Sequence, residues 1–426
     1  VDMVDYLERL NELIEEKKWT EIPTLISELV SELNTPHLTN NIVEELNEII
    51  GILKEYGYLE LVVDLKRAYV QCTNDDSVKL SLAGDLIDLH LHDEALSLLY
   101  DYTEDSDYYR DALVLTSDLY QSEGDLEIAL AKLNQAQDIA FESPLALSQA
   151  ELAFQLHDLS AANRYLSTID ANDLDAQLNL YAIHLKALIA SESGDLAKAR
   201  SILEATDFDQ LTEAMQVDLL TLYDLDENYD KIIDLTADEV KTYAINWLLA
   251  KAYSAEHEYE KAITLLENMI AENPDDKLAR LLLVNDYLSN HQKDKATALI
   301  QKLLIDFPHD FDVLQVANDQ LVLDENYEEV VQLLSPLSDG VDLPSELSLL
   351  LAKAYVETDE IEKANSLFKT LYPVMSDDVS FIEEYALFLR NNGFRDELKT
   401  VINNAREDNL HSEELLLLEE EVSSDF

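Results

Sequence analysis

The sequence predicts an all-α chain, a solenoid of about twelve stacked helical hairpins, on three observations. A small or aliphatic residue returns at intervals near 34 residues. Aromatic residues, glycines and prolines keep phase with it, and the apolar pattern inside each interval has the helical period twice over, with a polar break between. The returning residues are Ala95, Ala129, Ala162, Ala199, Ala262, Ala296 and Ala364, with Ile232, Val330 and Leu398 in the same slot and weaker copies at Ile22 and Val62. The steps between these twelve anchors are 40, 33, 34, 33, 37, 33, 30, 34, 34, 34 and 34 residues.

Taken from the N-terminus, the copies anchored at Ile22 and Val62 are the least regular, so residues 1–75 are read as divergent N-terminal helical repeats. Residues 76–408 are read as the regular array. Its clearest copy is residues 243–276. There Leu249, Ala250 and Tyr253 form one apolar patch, Glu256–His257–Glu258 is the polar break, and Tyr259, Ala262, Ile263, Leu266 and Met269 form the second patch. Asn273–Pro274 stops the second helix, because proline lacks an amide donor and restricts the residue before it. A helix pair this short cannot bury its own apolar face, so it must stack on its neighbours. The anchor marks the place where two helices cross, and Ala there lets the backbones approach.

Other residues hold the phase. Tyr120, Tyr223, Tyr253, Tyr287 and Tyr355 each precede an anchor by nine residues, and Trp19, Tyr229, Tyr259 and Tyr327 by three. Gly57, Gly124, Gly194 and Gly393 each lie five before an anchor, in the turn between the two helices. Pro336 breaks the pattern: it falls inside a second helix and is expected to end that helix early. Residues 409–426 leave the repeat. Four consecutive leucines, Leu415 to Leu418, lie between acidic blocks and are read as a capping helix, with a short interaction motif as the other reading.

A chain of 426 residues would ordinarily divide into several globular domains, but a solenoid lengthens by adding units. No run of 18 apolar residues appears, so no membrane-inserted segment is expected. Val1 to Leu10 has three acidic residues and no apolar block, unlike a signal peptide, and the lone Cys72 rules out a disulfide framework. The expected location is cytoplasmic. With 89 acidic against 29 basic residues, the net charge of −60 repels nucleic acid and favours partners with basic segments. The same charge also serves plain solubility. It is uneven: residues 80–185 hold 20 acidic and 3 basic residues, whereas 231–302 hold 12 and 9.

Little in the chain points to catalysis. His90 and His92, followed by Asp93 and Glu94, have metal-ligand composition, but their i, i+2 spacing fits no helical face and no third ligand is evident, so no metal is expected. The seven glycines are isolated and form no phosphate loop, and no nucleophile elbow or HExxH pattern occurs. The expectation is a non-enzyme without cofactors.

The arrangement resembles the tetratricopeptide repeat, which has a small residue and then an aromatic in the first helix, Gly at the turn, Ala in the second helix and Pro after it. Ala250, Tyr253, Gly124 (in its own copy), Ala262 and Pro274 fill those roles, and the likeness covers roughly residues 3–408. By its make-up the chain is also similar to the acidic, repeat-only cytoplasmic proteins of low-GC Gram-positive bacteria, the YpiA-like group. The resemblance implies an α–α superhelix whose first helices line a concave groove for a peptide or helix, hence a bacterial scaffold or adaptor. It places groove positions 10, 11, 15 and 18 residues before each anchor. The candidates so placed are Asp118, Glu151, Tyr181, His184, Trp247, Lys251, Asn285, Asp319 and Lys353, with Asp111, Leu281, Asp312 and Glu346 in the same registers. Trp247 serves either as an apolar anchor for a ligand or as packing between units. The Lys-rich set that grips acidic chaperone tails is missing. A self-assembling structural array without a peptide ligand is the alternative function, and the oligomeric state is left open.

Overall fold

The protein is described by a computed structural model that covers residues 1–34, 42–238, 241–340 and 342–424. The chain divides into two compact units, Val1–Leu222 and Tyr223–Phe426. Among the described residues it is all-α, with twenty-five α-helices and no strand.

The first unit begins with α1 (Met3–Glu15), α2 (Ile22–Leu33), α3 (Val43–Glu55), α4 (Leu59–Thr73), α5 (Asp76–Asp88) and α6 (His92–Leu99). It continues with α7 (Tyr109–Glu123), α8 (Leu126–Ile139), α9 (Ser143–Gln155), α10 (Leu159–Ser167), α11 (Ala176–Glu192) and α12 (Leu196–Glu204). Helix α13 (Glu213–Leu225) spans the boundary. The second unit holds α14 (Tyr229–Thr236), α15 (Tyr243–Ala255), α16 (Tyr259–Glu272), α17 (Lys277–Ser289), α18 (Lys293–Asp306) and α19 (Phe311–Leu323). After them come α20 (Tyr327–Ser338), α21 (Ser345–Glu357), α22 (Ile361–Met375), α23 (Val379–Asn391), α24 (Arg395–Glu407) and α25 (Glu413–Ser424).

Each of the twelve anchors lies in an even-numbered helix from α2 to α24, and eleven of them are 0% exposed; Leu398, at 7%, is the exception. The turns repeat as strictly. In all twelve hairpins the residue five before the anchor has positive φ: Lys17, Gly57, His90, Gly124, His157, Gly194, Glu227, His257, His291, Glu325, Asp359 and Gly393. The amide of the next residue then bonds back five residues to the first helix, as Glu258 N does to Tyr253 O at 2.9 Å and Gln292 N to Tyr287 O at 2.8 Å. This is the Schellman closure, which satisfies a terminal carbonyl and reverses the chain. The same bond links Lys18 to Leu13 and Tyr58 to Leu53, so the two divergent N-terminal copies share the turn of the rest.

Part of the acidity caps helices. Asp75, Asp158, Asp175, Asp195, Asp276, Asp310 and Asp378 each accept a backbone amide in the first turn of the helix they precede. A carboxylate there meets unpaired amides and the positive end of the helix dipole. Pro336 lies within α20, which runs two residues past it to Ser338 rather than ending at it, and α22 likewise accommodates Pro373. The helix is nonetheless short: α20 ends eight residues past Val330, whereas α16 and α18 end ten past Ala262 and Ala296. Leu415 and Leu418 of α25 are buried in the core formed with α21 to α24, while Leu416 and Leu417 face outward. The leucine run is thus split between packing and surface. Asp425 and Phe426 lie outside the described residues.

Candidate peptide-binding surface

The groove candidates stand on the odd-numbered helices, and their register divides them sharply. The position ten before the anchor mostly points into the core: Leu119, Leu152, Ala252, Asp286 and Ala354 are buried there, although Glu12 is exposed and Gln320 half-buried. Ten-back is therefore a packing register, contrary to its place among the groove positions, because a second helix covers that side of the first. Eleven-back turns outward. Asp118, Asn285 and Asp319 are exposed, and Glu151, Lys251 and Lys353 are half-buried.

In the first unit, two hollows open between consecutive odd-numbered helices. One, of about 570 Å³, lies between α5 and α7. Leu80, Ile87, Val114 and Leu115 form its apolar wall, and Asp85, Asp88, Asp111 and Asp118 its acidic part. Gly84 adds room, since a Cβ built there would meet only Leu115 Cδ2, at 4.0 Å. Asp85 is already neutralised: Lys54 Nζ lies 3.5 Å from Oδ1, and the buried Lys66 ammonium donates to its other oxygen and, at 2.7 Å, to Ser81 Oγ. Asp118 has no such cation among the described residues. Although Asp118 is open to the surface, the atoms packed around it shield its carboxyl from water, and this, and then the charge of Asp88, raise its pKa above the ordinary carboxylate value.

The other hollow, of about 460 Å³, lies between α11 and α13 and is mainly apolar, with Leu178, Leu180, Tyr181, His184 and Met215 in its lining. Burial, and then the neighbouring Glu151 carboxylate of α9, raise the pKa of the Tyr181 hydroxyl well above a free tyrosine's. His184 Nε2 lies 2.7 Å from Asp218 Oδ2. The structure thus joins three of the candidates, Glu151, Tyr181 and His184, in one neighbourhood.

In the second unit Trp247 is half-buried against the core around Ala250, Leu266 and Leu283. Lys251 Nζ sits 5.9 Å from the centre of the indole and 2.8 Å from Asp224 Oδ2. The tryptophan thus packs against the core while remaining partly exposed. Lys353 pairs with Glu384 at 2.9 Å, and Asp319 accepts Gln315 Nε2 at 2.8 Å. Lys251 and Lys353, which the sequence places alone among acids, are each bound to one. Asn285, Asp319 and Lys353 stand on separate helices, α17, α19 and α21.

Asp88 and Met215 contribute to the hollows but escape sequence reasoning, since they fall seven and seventeen residues before their anchors, outside the groove registers. Of the two histidines with metal-ligand composition, His90 is the left-handed turn residue of its hairpin. His92 Nδ1 lies 3.1 Å from Glu123 Oε1 in the next repeat. Among the described residues no group of three or more His, Cys, Asp or Glu side chains is placed to hold a metal ion. Nor is any described helix long and apolar enough to cross a membrane.

Residues 244–317 match the family model described as tetratricopeptide repeat, and residues 347–405 match that described as YpiA-like, C-terminal tetratricopeptide repeats. Those two stretches are similar to tetratricopeptide repeats. Among curated proteins it is similar to the TPR repeat-containing protein YpiA of Bacillus subtilis (strain 168), 25% identical over 390 residues, covering 87% of this chain and 89% of the relative. Among solved structures it is similar to a chain in the crystal structure of the APC/C hetero-tetramer Cut9–Hcn1. That match has a TM-score of 0.34 and 11% identity, over 99% of this chain and 96% of the other. The two tetratricopeptide matches fall where the sequence repeat is most regular, around Ala262, Ala296 and Ala364.

Proposed function

We propose that this chain is a non-enzymatic scaffold that holds segments of partner proteins against its odd-numbered helices. The partner segments are basic or amphipathic, and the protein works in a bacterial cytoplasm. The observation that carries this reading is the pair of hollows in the first unit, each formed by residues of two successive first helices. Such hollows exist only because the helices are stacked, which is what a pre-formed surface for an extended or helical ligand requires. A rigid surface lowers the ordering cost of binding, and the −60 charge speeds encounter with basic partners. Within this reading residues 1–75 are divergent N-terminal repeats, residues 76–408 the regular array, and residues 409–426 its capping helix and acidic tail.

Affinity capture at low ionic strength with stepwise salt elution tests the reading, followed by hydrogen exchange of the complex. Protection concentrated on the odd-numbered helices, with release at moderate salt, is the expected result. A chain that captures nothing and runs as a defined homo-oligomer in light scattering would instead be a self-assembling structural array.

A further inference from the structure

The two hollows of the first unit share a register. Asp111 and Tyr181 each lie eighteen residues before their anchors, and Val114 and His184 fifteen before theirs, so the hollows open on the same face of the odd-numbered helices. Their chemistry differs. The α5–α7 hollow offers Asp88, Asp111 and Asp118 above the aliphatic wall of Leu80, Val114 and Leu115, and no cation among the described residues pairs with Asp88 or Asp118. An aliphatic stem ending in a positive charge fits such a wall and rim. The α11–α13 hollow is mostly apolar, and Tyr181 in its lining is 38% exposed.

We propose that the first unit recognises a bipartite extended segment of a partner protein, with a Lys or Arg side chain in the α5–α7 hollow and a large apolar side chain in the α11–α13 hollow. This rests on the scaffold reading above and adds a spacing rule to it. The hollows are separated by three steps between successive first helices, counted through α7, α9 and α11. At roughly 8–10 Å per step the separation is about 25–30 Å. An extended chain covers about 3.3–3.6 Å per residue, so the two side chains should be some seven to nine residues apart. Between the hollows stands α9, whose Glu151 neighbours Tyr181. The raised pKa of Asp118 adds support, since an arriving cation offsets the loss of hydration and the like charge of Asp88 that together raise it.

Selection of a phage-displayed random 12-residue peptide library on the full chain, at about physiological salt, tests the rule. The expected outcome is an enriched pairing of Lys or Arg with Leu, Phe or Trp at a separation of seven to nine. Synthetic copies should then bind about tenfold more weakly to the Asp88→Asn/Asp118→Asn double variant, and likewise to Tyr181→Ala. Binding to wild type should fall by a similar factor when the basic residue is replaced by norleucine. The exchanged carboxylates are exposed, so circular dichroism should show unchanged helicity. Enriched peptides that ignore all these changes would overturn the bipartite rule while leaving the scaffold reading in place. A library that yields no binder would overturn both.

Discussion

Ser254 of α15 donates a hydrogen bond of 2.7 Å to Asp286 of α17, and the Asp286 side chain it reaches is only 2% exposed. One neutral hydroxyl does not replace the hydration that a carboxylate loses on burial. Burial therefore raises the Asp286 pKa, and the Ser254 bond offsets only part of the rise. For an acid whose folded pKa is raised, stability is fully present below the unfolded pKa and is lost as pH rises through the folded one. Asp286→Asn keeps an oxygen for Ser254 and removes the charge. It should raise the thermal midpoint at pH 7, and the gain should vanish near pH 3. A lower midpoint at pH 7 would show that the carboxylate is instead a stabilising group.

The left-handed turn residues give a paired prediction. Glu325 is exposed and has φ of 54°, where a side chain costs energy that glycine avoids. Glu325→Gly should stabilise its hairpin by about 1 kcal/mol despite the greater entropy of the unfolded chain. Gly124 has φ of 85°, and a Cβ there would touch nothing, so the loss in Gly124→Ala isolates the backbone term and should be of similar size and opposite sign. Denaturant midpoints of the two variants check this. If both moved the same way, the shared turn geometry would not be the cause.

The repeat phase was legible because it is written in residues with steric consequences. An anchor at a helix crossing tolerates few side chains, and four of the twelve left-handed turns carry glycine. The other eight were hidden, since Lys, His, Glu, Asp or Gly can all occupy that conformation once the Schellman bond has fixed the chain reversal. His157, His257 and His291 fall at turn positions in the sequence, but nothing in their identity shows that each is the left-handed residue of its hairpin. The site was less legible still. Asp286 and Asn285 are adjacent in sequence, but one is buried and the other exposed, a difference set by which side the neighbouring helix covers. Likewise Lys251 looks unpaired until Asp224, 27 residues away, is brought within 2.8 Å.

The tyrosines define the alkaline limit. Burial first, then the charge of Glu397, pushes Tyr385 up to about 12. Tyr6 also rises to about 12, through burial and a 2.8 Å bond from its hydroxyl to Glu32. Unfolded tyrosines ionise near 10, so ionisation favours the unfolded chain once pH exceeds that value. The stability these groups contribute should be intact below pH 10 and be lost as pH rises to about 12. Absorbance titration at 295 nm should show two classes of tyrosine, and Tyr385→Phe should reduce the amplitude of the later one. A single transition near pH 10 in the folded protein would contradict the burial argument.

The α4–α5 contact supplies the largest expected single effect. Lys66 is 4% exposed, and its ammonium is held by Ser81 and by Asp85, which Lys54 also approaches. Burial lowers the Lys66 pKa, while the bond and charge of Asp85 work against that fall. Removing one member of a buried pair strands the other, at a cost of about 3–5 kcal/mol, whereas replacing both by groups of similar volume is often close to neutral. Asp85→Asn should therefore strongly reduce hydrogen-exchange protection in α4 and α5, and Lys66→Met/Asp85→Asn should recover most of it. Exchange is the suitable readout because repeat arrays open locally as well as globally. Equal losses in the single and double variants would mean that Lys66 and Asp85 act separately, and that α4 and α5 are joined by their apolar faces alone.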